Sequence, residues 1–203
     1  RQTDFNCVNC HSFRMHQPDD MVFHMRSTFG GTYVWTDGKL EKLDGKVSAD
    51  IASLVYPYWH PSGDYVAFST NKTSQMFHMK DKNRIEVFDA ASDVLVYDVK
   101  NHRVITDSLL FSKQAFETFP SFSPDGKTLY FSSSDAQQMP KDYKKVKYSL
   151  CSISFDASTG KFGDKVDTLF SASATDKTAV FPRVSSDGNL LAFTKADYGN
   201  FAI

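Results

Sequence analysis

Alternating large apolar and small polar residues recur along this chain in short runs, and each run is closed by a turn signal. Three segments can be laid over one another: Tyr56-Pro57-Tyr58-Trp59-His60-Pro61-Ser62-Gly63-Asp64-Tyr65-Val66-Ala67-Phe68-Ser69, Phe119-Pro120-Ser121-Phe122-Ser123-Pro124-Asp125-Gly126-Lys127-Thr128-Leu129-Tyr130-Phe131-Ser132, and Phe181-Pro182-Arg183-Val184-Ser185-Ser186-Asp187-Gly188-Asn189-Leu190-Leu191-Ala192-Phe193-Thr194. Each reads as an aromatic-Pro pair, a short strand, a Gly-bearing turn and a second strand of period two. Gly supplies the positive φ that a tight hairpin needs. The copies are spaced by 63 and then 62 residues. A degenerate fourth copy stands at the start, with Cys10-His11-Ser12-Phe13 in place of the aromatic-Pro strand, Pro18-Asp19-Asp20 as the turn and Met21 to Arg26 as the second strand.

Second hairpins fall between these copies. They are Thr32 to Leu40 around Asp37-Gly38, Val94 to Thr106 around Asn101, and Leu150 to Phe170 around Ser158-Thr159-Gly160. About four strands per repeat make one propeller blade. The predicted class is all-β, a β-propeller of four-stranded antiparallel blades seen as about three and a half blades. The expected division is an N-terminal segment 1–10, then blades over about 11–50, 51–110, 111–175 and 176–203. Two inserts, Asn71 to Asp93 and Ser134 to Tyr148 with Lys141, Lys144, Lys145 and Lys147, are expected to project as loops from one face.

The repeated hairpins, with Ser123-Pro124-Asp125-Gly126 the fullest match to the Ser-Pro-Asp-Gly hallmark, resemble the TolB-like family of propeller repeats, over most of the chain from about His11 to Phe193. The resemblance implies the fold more than an activity, since propellers host many functions. A closed propeller has about four to eight blades, so further chain is expected beyond this one, and the remaining blades or a protein partner would cover its open flank. The chain opens on Arg1-Gln2-Thr3-Asp4 without an initiator Met, as a fragment or a processed piece would.

Composition narrows the partners. Basic and acidic residues number 23 and 24, for a formal net charge of −1. That balance argues against nucleic acid or an anionic membrane as the main partner. No apolar run approaches the ~20 residues that span a bilayer as a helix. Aromatics make up 14%, a richness that suits pleated faces.

Three cysteines are present, Cys7, Cys10 and Cys151. Cys151 lies in an alternating strand and reads as a small buried hydrophobe. Cys7-Val8-Asn9-Cys10-His11 is the pattern of covalent haem c attachment, in which two thiols add to the haem vinyls and the following His is the proximal iron ligand. A Cys7–Cys10 disulfide or redox pair, a zinc site with further ligands and a fortuitous match remain open beside it. The stretch Phe5 to Phe13, the segment Phe77-His78 with Arg84 to Asp89, and the blade hairpins together resemble exported TolB-like proteins carrying a Cys-x-x-Cys-His site. That resemblance implies haem iron and a place in the periplasm, outer membrane or cell surface of a Gram-negative bacterium, with a lipid anchor as one route.

A low-spin haem needs a second axial ligand. Met15, His16, Met21, His24, Met25, Met76, His78 and Met79 form the local supply. His78 is the first distal candidate, because the insert that carries it can fold over a haem, and His24 is the second. Arg14 and Arg26 are candidates to pair with propionates. His60, Asp125 and Asp187 read as turn residues. No Gly-x-Ser-x-Gly, phosphate-binding Gly loop or His-Glu-x-x-His occurs, so an enzyme is not the favoured reading. Two functions are carried forward: an envelope haem c propeller for electron transfer or redox-partner docking, and a haem-free propeller that binds protein or glycan partners.

Overall fold

Period-two runs bury both faces of a strand only when sheets stack against each other, and that is how these hairpins are used. The computed structural model describes residues 7–43, 53–77, 79 and 85–197. A first sheet holds β1 (Cys7–Phe13), β2 (Met21–Arg26), β3 (Gly31–Thr36) and β4 (Lys39–Leu43) in that order. A second holds β5 (Leu54–Trp59), β6 (Tyr65–Phe77), β7 (Ile85–Asp98) and β8 (Arg103–Ile105). A third holds β9 (Ala115–Phe122), β10 (Thr128–Asp135), β11 (Ser149–Asp156) and β12 (Lys161–Phe170). The fourth is the hairpin of β13 (Thr178–Val184) and β14 (Leu191–Ala196), preceded by one helical turn, α1 (Ala172–Thr175). Every strand pairing is antiparallel to its chain neighbour. This is a partial β-propeller of three full blades and the inner half of a fourth. The expected boundary between residues 10 and 11 falls inside β1, because Cys7, Val8 and Asn9 are already paired with Arg26, Met25 and His24.

The core lies between blades. In blade 2, Val66, Phe68 and Leu95 face Val22, Val34 and Leu43 of blade 1. The alternate residues Ala67, Val94 and Val96 face Phe122, Leu129, Phe131 and Ile153 of blade 3. The middle strands of blade 2 are thus covered on both sides, which explains the unbroken apolar run Val94-Leu95-Val96-Tyr97. Phe116, Phe119, Val146 and Tyr148 of blade 3 meet Val180 of blade 4. Hydrogen bonds also cross each seam: Trp59 Nε1 donates to the Ser12 carbonyl at 3.1 Å, the Tyr65 hydroxyl to the Ala157 carbonyl at 2.9 Å, and the Tyr148 amide to Thr178 Oγ1 at 2.9 Å.

The first strands β1, β5, β9 and β13 lie side by side and form the inner margin of the arc. Each carries the same bulge, in which two residues oppose one on the next strand. Cys10-His11 opposes Phe23, Tyr56-Pro57 opposes Phe68, Phe119-Pro120 opposes Phe131, and Phe181-Pro182 opposes Phe193. The first bulge residue is left-handed every time, with φ of 48° at Cys10, 51° at Tyr56, 55° at Phe119 and 56° at Phe181. A bulged residue is left out of the ladder, so Pro is tolerated directly after it in three blades. In blade 1 His11 takes that place.

The turns after these strands show how the repeat varies around one geometry. Ser123 Oγ donates to Asp125 and accepts from the Thr128 amide, and Ser185 does the same with Asp187 and the Leu190 amide. In blade 2, His60 stands in the Ser place. Its Nδ1 accepts from the Ser62 amide at 3.0 Å, and its Nε2 donates to the Gly126 carbonyl of blade 3 at 3.0 Å. Gly126 has φ +73°, and a Cβ there would overlap His60 Nε2, so both backbone conformation and close approach require glycine.

Candidate functional site

The sequence motif Cys7 to His11 becomes an inner strand with one residue, Cys10, in a left-handed kink. Cys7 is exposed opposite Arg26, Cys10 is partly buried, and both are free thiols. His11 is exposed, with its ring edge-on to Phe13 at 5.7 Å. Three residues of extended chain separate the two cysteine Cα atoms by about 10 Å. That spacing is too long for a disulfide, whose Cα atoms lie about 4.4–6.8 Å apart. It also spreads the two thiols along a strand, where covalent haem would need them in a short loop that reaches both vinyl groups, so the residues as placed in β1 are not arranged as a haem loop. No three His, Cys, Asp or Glu side chains gather as metal ligands among the described residues.

The other candidates are held elsewhere. His24 shares a strand face with Val22, turned toward blade 2. The Thr32 hydroxyl donates to the Leu54 carbonyl at 2.8 Å, so His24 Nδ1–H donates to Thr32 Oγ1 at 3.0 Å. Burial, with the nearby Arg26 charge, lowers the His24 pKa and favours the neutral ring. His24 is therefore part of the seam between blades and is not brought to His11. Arg14 bonds Asp20 at 3.4 Å, lies 5.9 Å from the Trp59 ring and packs over Gly63. It does for blades 1 and 2 what His60 does for blades 2 and 3. Arg26 is exposed at the end of β2. His78 lies outside the described residues.

The Cys10 position has a meaning that the motif alone does not show. Tyr56 and Phe119 meet at 4.7 Å between ring centroids, and Phe119 and Phe181 at 4.1 Å. Cys10 is the fourth member of this ladder, next to Tyr56, and its aromatic ring is replaced by a thiol. Burial, then the Asp89 and Cys10 charges, push the Tyr56 hydroxyl up to about 12. Asp89 accepts from Asn71 Nδ2 and Thr73 Oγ1, both at 2.7 Å, and burial raises its carboxyl.

The end of the inner strands nearest Cys7 carries both inserts, because each joins the second and third strands of its blade. The blade 2 insert is not a loop. β6 and β7 continue past the blade as a two-stranded arm, with Thr73 opposite Asp89 and Phe77 opposite Ile85. Phe77 is 70% exposed, Met79 89% and Ile85 38%. The blade 3 insert folds back, burying Tyr143 and Val146, while Lys145 pairs with Asp142 and Lys147 with Asp176. Sequence reasoning missed the arm, although Thr73 to Phe77 and Ile85 to Asp89 hold mirrored strand-forming runs. It also missed Glu117, a buried acid on β9 with Asp93 close by.

No family model matches the chain. It is 26% identical over 88 residues to dipeptidyl-peptidase 5 of Porphyromonas gingivalis, a match covering 43% of this chain and 11% of that protein. Among solved structures it is similar to dipeptidyl peptidase 4 of Porphyromonas gingivalis, with a TM-score of 0.53 at 11% identity over 92% of this chain and 29% of that one. TolB from Acinetobacter baumannii aligns with a TM-score of 0.49 at 14% identity over 93% of this chain and 37% of that one. The chain thus spans a minor part of each of these three proteins. With its sheet order and repeated bulges, the likeness to dipeptidyl peptidase 4 establishes it as a run of β-propeller blades.

Proposed function

We propose that this chain is a haem-free binding module of a bacterial envelope protein, in which stacked blades hold the β6–β7 arm out to a protein partner. One observation carries the reading: Phe77, Met79 and Ile85 stand exposed on an arm whose two strands pair only with each other among the described residues. Exposed apolar side chains grouped on one projection are a common mark of a contact surface. Beside them, strand edges that meet no other strand among the described residues can also accept a partner strand. The envelope setting rests on the resemblance of the blade repeats to exported TolB-like proteins. A photo-crosslinking side chain at position 77, with a control at Glu41 on blade 1, tests the reading in living cells. A discrete adduct from position 77 and none from position 41 is expected. Equal labelling at the two positions, or none at 77, would overturn it.

The competing proposal keeps covalent haem c on Cys7 and Cys10, with His11 as iron ligand, His78 or His24 across from it, Arg14 or Arg26 at the propionates, and an electron-transfer partner. The exposure of Cys7 and His11 on a strand with one sheet neighbour favours it. It requires Cys7, Val8 and Asn9 to leave β2, so that the strand can close into a loop that brings both thiols to one haem edge. Haem that stays with the protein through acid-acetone extraction separates the two readings.

A further inference from the structure

The end of the inner strands opposite the arm holds a feature that the module reading does not use. Where β1, β5, β9 and β13 run into their turns, all four blades contribute to a cavity of about 540 Å³. Its walls are mainly apolar, with Phe13 and Met15 from blade 1, Tyr58 and Trp59 from blade 2, Phe122 from blade 3 and Val184 from blade 4. A second cavity of about 520 Å³ adjoins it across Pro124 and Val184, and Asp125 and Asp187 line it. We propose that this double cavity is a binding site for a peptide segment in which a large apolar side chain lies next to a lysine or arginine.

The apolar cavity suits one large side chain, and its rings favour an aromatic one, since aromatic pairs add attraction beyond buried area. The rings already accept cations at their faces, with Arg14 5.9 Å from Trp59 and Arg183 5.2 Å from Tyr58. Asp125 and Asp187 supply the opposite charge one step away. Hydroxyl and amide donors in their own turns hold both carboxyls below the ordinary range, so both are ionised at neutral pH. Lys127 is the one cation in the Asp125 turn, and Asn189 is the neutral neighbour of Asp187. Charge complementarity therefore selects a cation beside the apolar group and disfavours a carboxylate there. This end is remote from the arm, so the site stands or falls independently of it.

The probe is a dye-labelled Gly-Ser-Phe-Lys-Gly-Ser peptide titrated with the full chain by fluorescence anisotropy, with Phe-Glu and Ala-Lys peptides as controls. The Phe-Lys peptide is expected to bind about tenfold or more tightly than either control, and to weaken as salt is raised. Asp125→Asn and Asp187→Asn keep an oxygen acceptor for the turn. Each is expected to weaken Phe-Lys binding about threefold to tenfold. Met15→Ala, at an exposed position, is expected to weaken Phe-Lys binding without changing the preference for Lys over Glu. Circular dichroism checks that each variant is folded. Equal binding of Phe-Lys and Phe-Glu, no Phe-Lys binding at millimolar concentration, or indifference to both Asn variants would overturn the proposal.

Discussion

Glu117 gives this fold a measurable pH dependence. It lies on β9 with 3% of its surface exposed, and its Oε2 finds no hydrogen-bond partner among the described residues. Ser133 bonds the carboxyl, Asp93 adds a like charge, and the Tyr148 and Cys151 side chains are close enough to feel it. Burial, then Asp93, push its pKa from 4.5 up to about 8. The folded state therefore holds this proton more tightly than the unfolded state. Its contribution to stability is complete below pH 4.5 and is lost as pH rises through about 8. The shift caps the loss at about 5 kcal/mol, from about 1.4 kcal/mol per pH unit. Glu117→Gln keeps the volume and the neutral polar head but cannot ionise. Urea unfolding of both proteins from pH 5 to pH 9 isolates the effect, because groups not coupled to Glu117 cancel in the difference. The Gln variant is expected to match the parent at pH 5 and to exceed it by several kcal/mol at pH 9. A difference that stays constant over this range would refute the reasoning.

Other consequences follow from the same packing. Iodoacetamide should label Cys7 within minutes and Cys10 more slowly, but Cys151 only on unfolding, since it is buried and burial raises its thiol; labelling of Cys151 at the rate of Cys7, read by peptide mass, would contradict the core assignment. Gly126→Ala and Gly188→Ala both place a side chain at positive φ, +73° and +76°, but among the described residues only the first meets close neighbours, His60 foremost and then Pro61. Gly188→Ala should cost about 1 kcal/mol and Gly126→Ala clearly more in the same urea assay; equal losses would show that His60 does not press on the turn. Phe131→Ala empties the seam between blades 2 and 3 and should cost about 3–5 kcal/mol; a loss under 1 kcal/mol would place that core elsewhere.

The hairpins were legible because their signals are local. Asp-Gly and Ser-Asp-Gly turns need only a few residues, and the aromatic-Pro pairs repeat with them, though that each pair forms a bulge emerges only from its register with the next strand. The same alignment put Cys10-His11 in the aromatic-Pro place, where the structure finds it. The alternation at His24 and Met25 was also readable, since neighbours on a strand face opposite ways. Which face blade 2 would cover was not, because that depends on Leu54 and Phe68, 30 or more residues away. Glu117 was illegible for a similar reason: a Glu in a strand reads as a solvent-facing residue until the neighbouring blade closes over it. The motif itself shows the limit most plainly. Two thiols and a His at that spacing describe a haem loop in one backbone conformation and a spread-out strand in another, and the difference lies in the pairing with β2, a contact between residues some 15 or more positions apart.

The central proposal is that Cys7 to His11, the bulged inner strand of a blade, works without a covalent cofactor. The most direct test is the absorption spectrum of the protein, reduced in alkaline pyridine, after production in cells that attach haem to c-type cytochromes. The account predicts no c-type α-band, with Cys7 and Cys10 both titrating as free thiols. A c-type band that survives acid-acetone extraction, with the two thiols missing from the titration, would contradict it.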